Sequence, residues 1–198
     1  AILRVTDSRR ALGQLAAAHR KTLEGTKVIA VVGSNGKTTT TKLIDSILKT
    51  RLRGTASPKS FNNDVGVPFT LLAAKRADQY VVCEVGSNHP GETAILGRIV
   101  QPDIVVVTSI GRDHMEFFGS PAVVARAPAS IFSDLRPNGL VIVPAEETAL
   151  ADYLKPVPNV ITVGRDTNSD LRVTSMAHTP SGLRFAVNDR WNIELSLV

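Results

Sequence analysis

The chain has 198 residues, of which 43% are hydrophobic and 21% are charged, and this balance predicts a globular protein with one large domain. Its single cysteine excludes an internal disulfide framework, and no apolar run is long enough to span a bilayer. The net charge of +5 is scattered along the chain and is not interleaved with aromatic residues, so we expect an enzyme of anionic substrates in the cytoplasm, without nucleic acid or membrane insertion. A nucleic-acid-binding NTPase is the alternative that the charge alone would favour.

The N-terminal segment predicts a helix. Asp7 or Ser8 is suited to cap it, and Leu12, Leu15 and Ala16 follow at helical spacing. The next segment, KVIAVVG, is a β-branched run that ends in glycine, as expected of a strand buried on both faces. Helical spacing then returns in KTTTTKLIDSILKT.

Strand-like and helical segments continue to alternate as far as Gly164, which predicts βαβ units. Beyond Gly164 the period changes to two, with turns at Pro180–Gly182 and Asn188–Asp189. The expected fold is therefore α/β, with a P-loop, a mostly parallel sheet flanked by helices, and a small antiparallel β meander at the C-terminal end. We expect Trp191 to pack between this meander and the core.

The segment between the first strand and the second helix predicts a phosphate site. Its residues are Gly33, Ser34, Asn35, Gly36, Lys37, Thr38 and Thr39. The glycines allow a tight turn, and the amides at the start of the helix would face an anion. Lys37 could reach a terminal phosphate, and the Thr38 hydroxyl could join the shell of a Mg²⁺ ion. An ordinary strand-to-helix turn with a lysine cap is the alternative.

The run GSNGKTTT resembles the G-[TS]-N-G-K-T-T loop of the Mur ligase family, whose members are ATP-dependent enzymes that join an amine to a carboxylate. The resemblance implies that ATP binds at residues 33–39 and activates a carboxyl group as an acyl phosphate. It also implies a catalytic role for Lys37.

Two further motifs are typical of the branch of that family that adds D-alanyl-D-alanine to the cell-wall precursor. The first, SFNNDVGVPFTLL, offers Asn62 and Asn63 to substrate, phosphate or metal-bound water, although a solvent loop would look the same. The second, CEVGSNHPGET, places Glu84 at the carboxyl end of a strand, where it is a suitable Mg²⁺ ligand. Asn88 and His89 follow as candidate substrate contacts, with a helix-capping role as the alternative for His89.

A fourth motif, TSIGRDHMEFFGS, carries His114. The resemblance implies that His114 is a catalytic, metal-binding histidine, and neutral imidazole is an acceptable ligand for a second divalent ion. A surface ion pair with the neighbouring acidic residues is the alternative.

One position departs from the family pattern. The resemblance implies a carbamylated lysine in the helix after Gly119, but this chain has Pro128 there. Proline cannot be carbamylated, and in a helix interior it costs about 3 kcal/mol, so we expect the helix to break, kink or start later. Either the protein is a ligase that does without this lysine, or it is a divergent nucleotide-binding module with reduced or different ligase activity.

The resemblance covers nearly the whole chain and implies a domain organisation. Residues 1–26 would be a linker and helix that lead from an N-terminal domain for the UDP substrate. Residues 27–198 would be the central ATP-binding domain, with 165–198 as its antiparallel extension, and a C-terminal domain would follow. The implied cofactors are ATP and Mg²⁺, the implied substrates are a UDP-N-acetylmuramoyl peptide and D-alanyl-D-alanine, and we expect a monomer.

Overall fold

A mixed sheet organises the part of the chain that the computed structural model describes, which comprises residues 4–86, 89, 91–111 and 121–196. Its strands are β1 (Lys27–Val32), β2 (Gly54–Ala56), β3 (Tyr80–Glu84), β4 (Ile104–Val107), β5 (Leu140–Pro144), β6 (Asn159–Gly164), β7 (Leu171–Thr179), β8 (Gly182–Val187) and β9 (Trp191–Ser196). They lie in the order β2-β3-β1-β4-β5-β6-β7-β8-β9. Neighbouring strands from β2 to β7 are parallel, whereas β7–β8 and β8–β9 are antiparallel. The predicted α/β fold and its C-terminal meander are confirmed.

The helices in the described residues lie on both faces of the sheet. They are α1 (Ser8–Lys21), α2 (Lys37–Leu48), α3 (Gly66–Ala73), α4 (Glu92–Val100), α5 (Pro121–Ala129) and the short α6 (Ala151–Leu154). Helix α2 packs on one face, where Ile44 and Leu48 contact the Ile29 and Val31 side of β1. Helix α4 packs on the opposite face, where Leu96 joins the core formed by alternate residues of the same strands. None of the described helices is long and apolar enough to cross a membrane.

This arrangement creates a crevice between β1 and β3. The chain leaves β1 towards α2 on one face and leaves β3 towards α4 on the other, although the two strands are direct neighbours. Open α/β sheets bind ligands outside the carboxyl ends of strands at such a reversal. The loop after β1 and the end of β3 are therefore brought together at the edge where a ligand would bind.

Helix α1 is fixed to the core by a buried ion pair. Its N-terminus is capped by Asp7, whose side chain accepts a hydrogen bond from the amide of Arg10 at 3.0 Å. Near its C-terminus, Arg20 is 1% exposed and donates to Asp103 Oδ2 at 2.8 Å and to the carbonyl of Val100 at 2.9 Å. Asp103 directly precedes β4, and Val100 is the last residue of α4. The guanidinium therefore ties α1 to a strand of the sheet and to the helix that packs on it.

Two details differ from or refine the sequence predictions. Strand β2 was not predicted, because three residues that pair only at the edge of the sheet leave little pattern. Helix α5 runs through Pro128 to Ala129 and continues as a 3₁₀ helix over Ser130–Asp134, so the α-helix ends close to the proline but does not break at it. The proline lacks the amide that would donate to the carbonyl one turn earlier, which weakens this end of the helix.

The expectation for Trp191 is wrong. Its side chain is 45% exposed at the start of β9, with the guanidinium of Arg190 4.9 Å from the ring centre. Ile193 on the same strand and Met176 on β7 are also exposed. The meander extends the sheet sideways through the β6–β7 pair, so these apolar side chains do not reach the core.

Candidate functional site

A polar cleft of about 360 Å³ lies at the crevice between β1 and β3. It is lined by Ser34, Asn35, Gly36, Lys37, Thr38, Thr39, Ser60, Asn62 and Glu84. These residues come from three separate segments: the loop after β1 with the first turn of α2, the loop after β2, and the last residue of β3. The tertiary structure thus brings the predicted phosphate loop against the predicted Mg²⁺ ligand.

Gly33 begins the loop in a conformation that a side chain would not tolerate. Its φ is +128°, and a Cβ at this position would lie 2.4 Å from Thr108 Oγ1 and 2.7 Å from the carbonyl oxygen of Ser109. This φ lies in the left-handed region, which side chains disfavour, and the two distances show that the residues directly after β4 leave no space for a Cβ. Only glycine fits where the chain turns from β1 into the loop.

The N-terminus of α2 opens into the cleft. Its N-cap is Gly36, which has a φ of +81° and provides no side-chain cap. Since the first amides of a helix have no partner within the helix, they are available to an external acceptor. The helix dipole adds a partial positive charge at the same place, and the two together favour an anion such as phosphate.

The side chain of Lys37 folds back over the phosphate loop. Its Nζ donates to the carbonyl oxygens of Gly33 at 2.8 Å and of Ser34 at 2.9 Å. Burial lowers the pKa of the ammonium, and the charge of Glu84 opposes that shift. A half-buried cation at the mouth of a loop of open amides is suited to bind the outer phosphates of a nucleotide.

Glu84 carries the strongest single indication of a ligand. The residue is 1% exposed, yet its Oε2 atom has no hydrogen-bond partner within the described residues, while Oε1 accepts from Asn62 Nδ2 at 2.9 Å. A buried charge without a partner is costly, and retained ones coordinate a cation or meet an opposite charge. An oxygen of this kind fits Mg²⁺.

Other ligands for such an ion would be the Thr38 hydroxyl and the oxygens of a nucleotide. Thr38 Oγ1 lies in the cleft, 3.5 Å from Ser60 Oγ. No cluster of three or more His, Cys, Asp or Glu side chains that could hold a metal occurs within the described ranges. The oxygens of Thr38 and Glu84 suit Mg²⁺ that arrives with phosphate, since that ion is usually held by one or two protein oxygens plus substrate phosphates.

The end of β4 supports the phosphate loop, which the sequence analysis did not predict. Thr108 Oγ1 donates to the carbonyl of Asn35 at 2.6 Å, and the amide of Ser34 donates to the carbonyl of Ser109 at 2.8 Å. The amide of Gly111 donates to Ser34 Oγ at 2.7 Å. The conformation of the phosphate loop therefore depends on the segment TSIG, which is far from it in the sequence. The signal that the sequence offered was a pair of hydroxyl residues directly after a strand.

The predicted substrate residues are only partly brought together. Asn62 lines the cleft and holds Glu84, but the side-chain oxygen of Asn63 instead accepts from the amides of Val65 and Gly66 at the start of α3. His89 is exposed and pairs with Glu92 in the first turn of α4, as its capping alternative predicts. Asn88 and His114 lie outside the described residues, so their predicted roles remain predictions.

The sequence and fold can be compared with those of known proteins. A profile of the Mur ligase middle domain matches residues 31–198. The UDP-N-acetylmuramoyl-tripeptide–D-alanyl-D-alanine ligase of Bacillus subtilis is 35% identical over 187 residues, which are 94% of this chain and 40% of that protein.

Solved structures give the same result. The UDP-N-acetylmuramoylalanyl-D-glutamyl-2,6-diaminopimelate–D-alanyl-D-alanyl ligase of Acinetobacter baumannii is 34% identical, with a TM-score of 0.84 over 93% of this chain and 41% of that chain. The MurF ligase of Thermotoga maritima, solved in complex with ADP, is 25% identical, with a TM-score of 0.83 over 94% of this chain and 43% of that chain. The chain thus spans about 40% of the length of the relatives that it matches.

Proposed function

Because the chain belongs to the Mur ligase family, through the middle domain of that family, we propose that it is the ATP-binding part of an ATP-dependent ligase. The ligase would add D-alanyl-D-alanine to a UDP-N-acetylmuramoyl-tripeptide in the cytoplasmic stage of peptidoglycan synthesis. The observation that carries the proposal is the cleft that Lys37 and Glu84 both line at the open end of a glycine loop, where Glu84 Oε2 has no hydrogen-bond partner among the described residues.

In this proposal, residues 33–39 hold the triphosphate of ATP. The amides at the start of α2 bind phosphate oxygens, and Lys37 leaves the carbonyl of Ser34 to neutralise the terminal phosphate. Thr38 and Glu84 would hold Mg²⁺, which would supply positive charge to balance that of the phosphates. His114 would serve a second ion, and Asn62 would keep the carboxylate of Glu84 in place.

The reaction follows from this positioning. An oxygen of the substrate carboxylate attacks the γ-phosphorus in line, the bond from phosphorus to the bridging oxygen breaks, and ADP leaves. The amine of the dipeptide then attacks the carbonyl of the acyl phosphate, loses a proton and releases inorganic phosphate. The chain's own contribution is to orient the phosphates and balance their charge.

Parts of the longer protein would supply what this cleft lacks. We propose that residues 1–26 lead from a domain that binds the UDP substrate, that residues 27–198 form the ATP-binding domain with its antiparallel extension, and that a further domain closes over the nucleotide. The named relatives are ligases, which supports this proposal over a nucleotide-binding module without ligase chemistry.

Phosphate release by the full-length protein tests the proposal. Release should require ATP, Mg²⁺, the UDP-tripeptide and D-alanyl-D-alanine together, with one peptide product formed for each phosphate. Release that is independent of the dipeptide, or ATP binding without any peptide product, would contradict it. Lys37→Met in the same full-length protein is the matched inactive control.

A further inference from the structure

A pair of buried hydroxyl groups lies directly behind the cleft. Ser57 follows β2 and is 7% exposed, and Thr70 belongs to α3 and is 1% exposed. Their oxygens are 3.1 Å apart. Neither residue lines the cleft. Ser57 lies outside the motifs named above, and Thr70 lies within SFNNDVGVPFTLL but has no role in the prediction made from it.

The number of hydroxyl protons indicates which residue of the pair is the donor. Thr70 Oγ1 donates its single proton to the carbonyl of Gly66 at 3.0 Å. Ser57 then donates to Thr70 at 3.1 Å, in preference to its longer contact of 3.4 Å with the carbonyl of Phe61. Ser57 Oγ in turn accepts the amide proton of Glu84 at 3.0 Å. A continuous chain of hydrogen bonds therefore runs from the backbone of Glu84 through both hydroxyls to the first turn of α3.

The same chain closes the base of the loop that carries Asn62. Ser57 stands at the start of that loop, and Gly66 stands at its end. The amide of Gly86 donates to the carbonyl of Asn62 at 2.8 Å, which ties the loop to the residues after β3. The position of the Asn62 amide that holds Glu84 Oε1 thus depends on both ends of this hydrogen-bonded base.

We propose that Ser57 and Thr70 are positioning residues, which fix the backbone of Glu84 and the loop that carries Asn62 so that the second carboxylate oxygen faces the phosphate cleft. The inference rests on the proposed function, because it concerns the same nucleotide site. Since the pair touches no ligand, its loss should change the part of nucleotide binding that depends on Mg²⁺ and leave the contacts of the phosphate loop intact.

The matched variants are Thr70→Val, which keeps the shape but removes the hydroxyl, and Thr70→Ser, which keeps the hydroxyl. In nucleotide-free protein, hydrogen exchange at the amide of Glu84 should be about five- to tenfold faster in Thr70→Val, because a hydrogen-bond network of ordinary strength has lost a member. Binding of a fluorescent ADP analogue should weaken by a similar factor with Mg²⁺ and stay unchanged in EDTA. Thr70→Ser should match the unmodified chain in both measurements.

Two outcomes would overturn the inference. Thr70→Val could match Thr70→Ser in exchange and in Mg²⁺-dependent affinity, or it could weaken nucleotide binding equally with Mg²⁺ and in EDTA, which indicates general damage. Ser57→Ala provides a second test if Thr70→Val does not fold, and its expected results are the same. Failure of the proposed function is distinguishable, because the unmodified chain itself would then bind no nucleotide.

Discussion

Replacing Glu84 by glutamine should raise the stability of the fold and weaken nucleotide binding. The substitution keeps the size of the side chain and removes its charge. In the nucleotide-free protein the carboxylate is 1% exposed, and one of its oxygens has no partner among the described residues. The change therefore removes a buried charge that the fold alone does not satisfy.

The magnitude follows from two opposing effects. A buried polar atom without a partner costs about 1–3 kcal/mol, and more when it is charged, so a neutral amide should relieve part of this cost. The variant also loses the attraction between Glu84 and the ammonium of Lys37, which offsets some of the gain. We expect a net stabilisation of about 1 kcal/mol, which raises the melting temperature of a chain of this size by about 2–4 °C.

Nucleotide binding should respond in the opposite direction. A contact that involves a charged group is worth about 1.5–3 kcal/mol, so affinity for an ADP analogue with Mg²⁺ should fall about 10- to 150-fold. In EDTA the affinity should change little, because the phosphate loop is intact. The assays are thermal unfolding without nucleotide and fluorescence titration with and without Mg²⁺.

An exposed glutamate provides the control. Glu24→Gln changes the net charge equally but should alter neither measurement, because Glu24 lies on the surface. A lower melting temperature for Glu84→Gln together with unchanged Mg²⁺-dependent affinity would refute the reasoning. Glu84 would then be a structural carboxylate.

The remaining predictions concern other parts of the chain. Lys37→Met should weaken nucleotide binding about 10- to 100-fold both with Mg²⁺ and in EDTA, because the lost contact is to phosphate. Thermal unfolding should show an intact fold, and unchanged affinity would contradict the assignment of residues 33–39 as the phosphate loop. Gly33→Ala should lower the free energy of unfolding by about 1–3 kcal/mol for the backbone strain alone, measured in urea, and a neutral result would mean that the loop adapts. Arg20→Met should cost about 3–5 kcal/mol in the same assay, since it removes the buried cation from Asp103 and leaves only the exposed Lys27 at 3.9 Å. Arg9→Met at an exposed pair should cost about 0–1 kcal/mol, and equal costs would argue against the buried anchor. Pro128→Lys and Pro128→Ala should both stabilise the chain by restoring a helix amide, and stronger Mg²⁺-dependent binding in the lysine variant alone would place this position at the metal site.

One pair of adjacent asparagines and one histidine show where prediction from sequence ended. Asn62 and Asn63 are identical side chains in one motif, but the first holds Glu84 and the second caps the start of α3. His89 was equally suited to substrate or to a helix end, and the structure shows it paired with Glu92 at the start of α4, while its contact with substrate stays a prediction. In each case the choice depends on where the side chain points, which residue type and spacing do not encode.

The sequence by itself determined the alternation of strands and helices, the glycine loop between β1 and α2, and the change of period that predicts the meander. These features are local, because hydrophobic periodicity and glycine conformations act over a few neighbouring residues. Only the tertiary structure decided that Glu84 faces Lys37, that the end of β4 supports the loop, and that Ser57 and Thr70 lie behind the cleft. Those contacts join segments that are distant along the chain, and the order of strands in the sheet sets which of them meet.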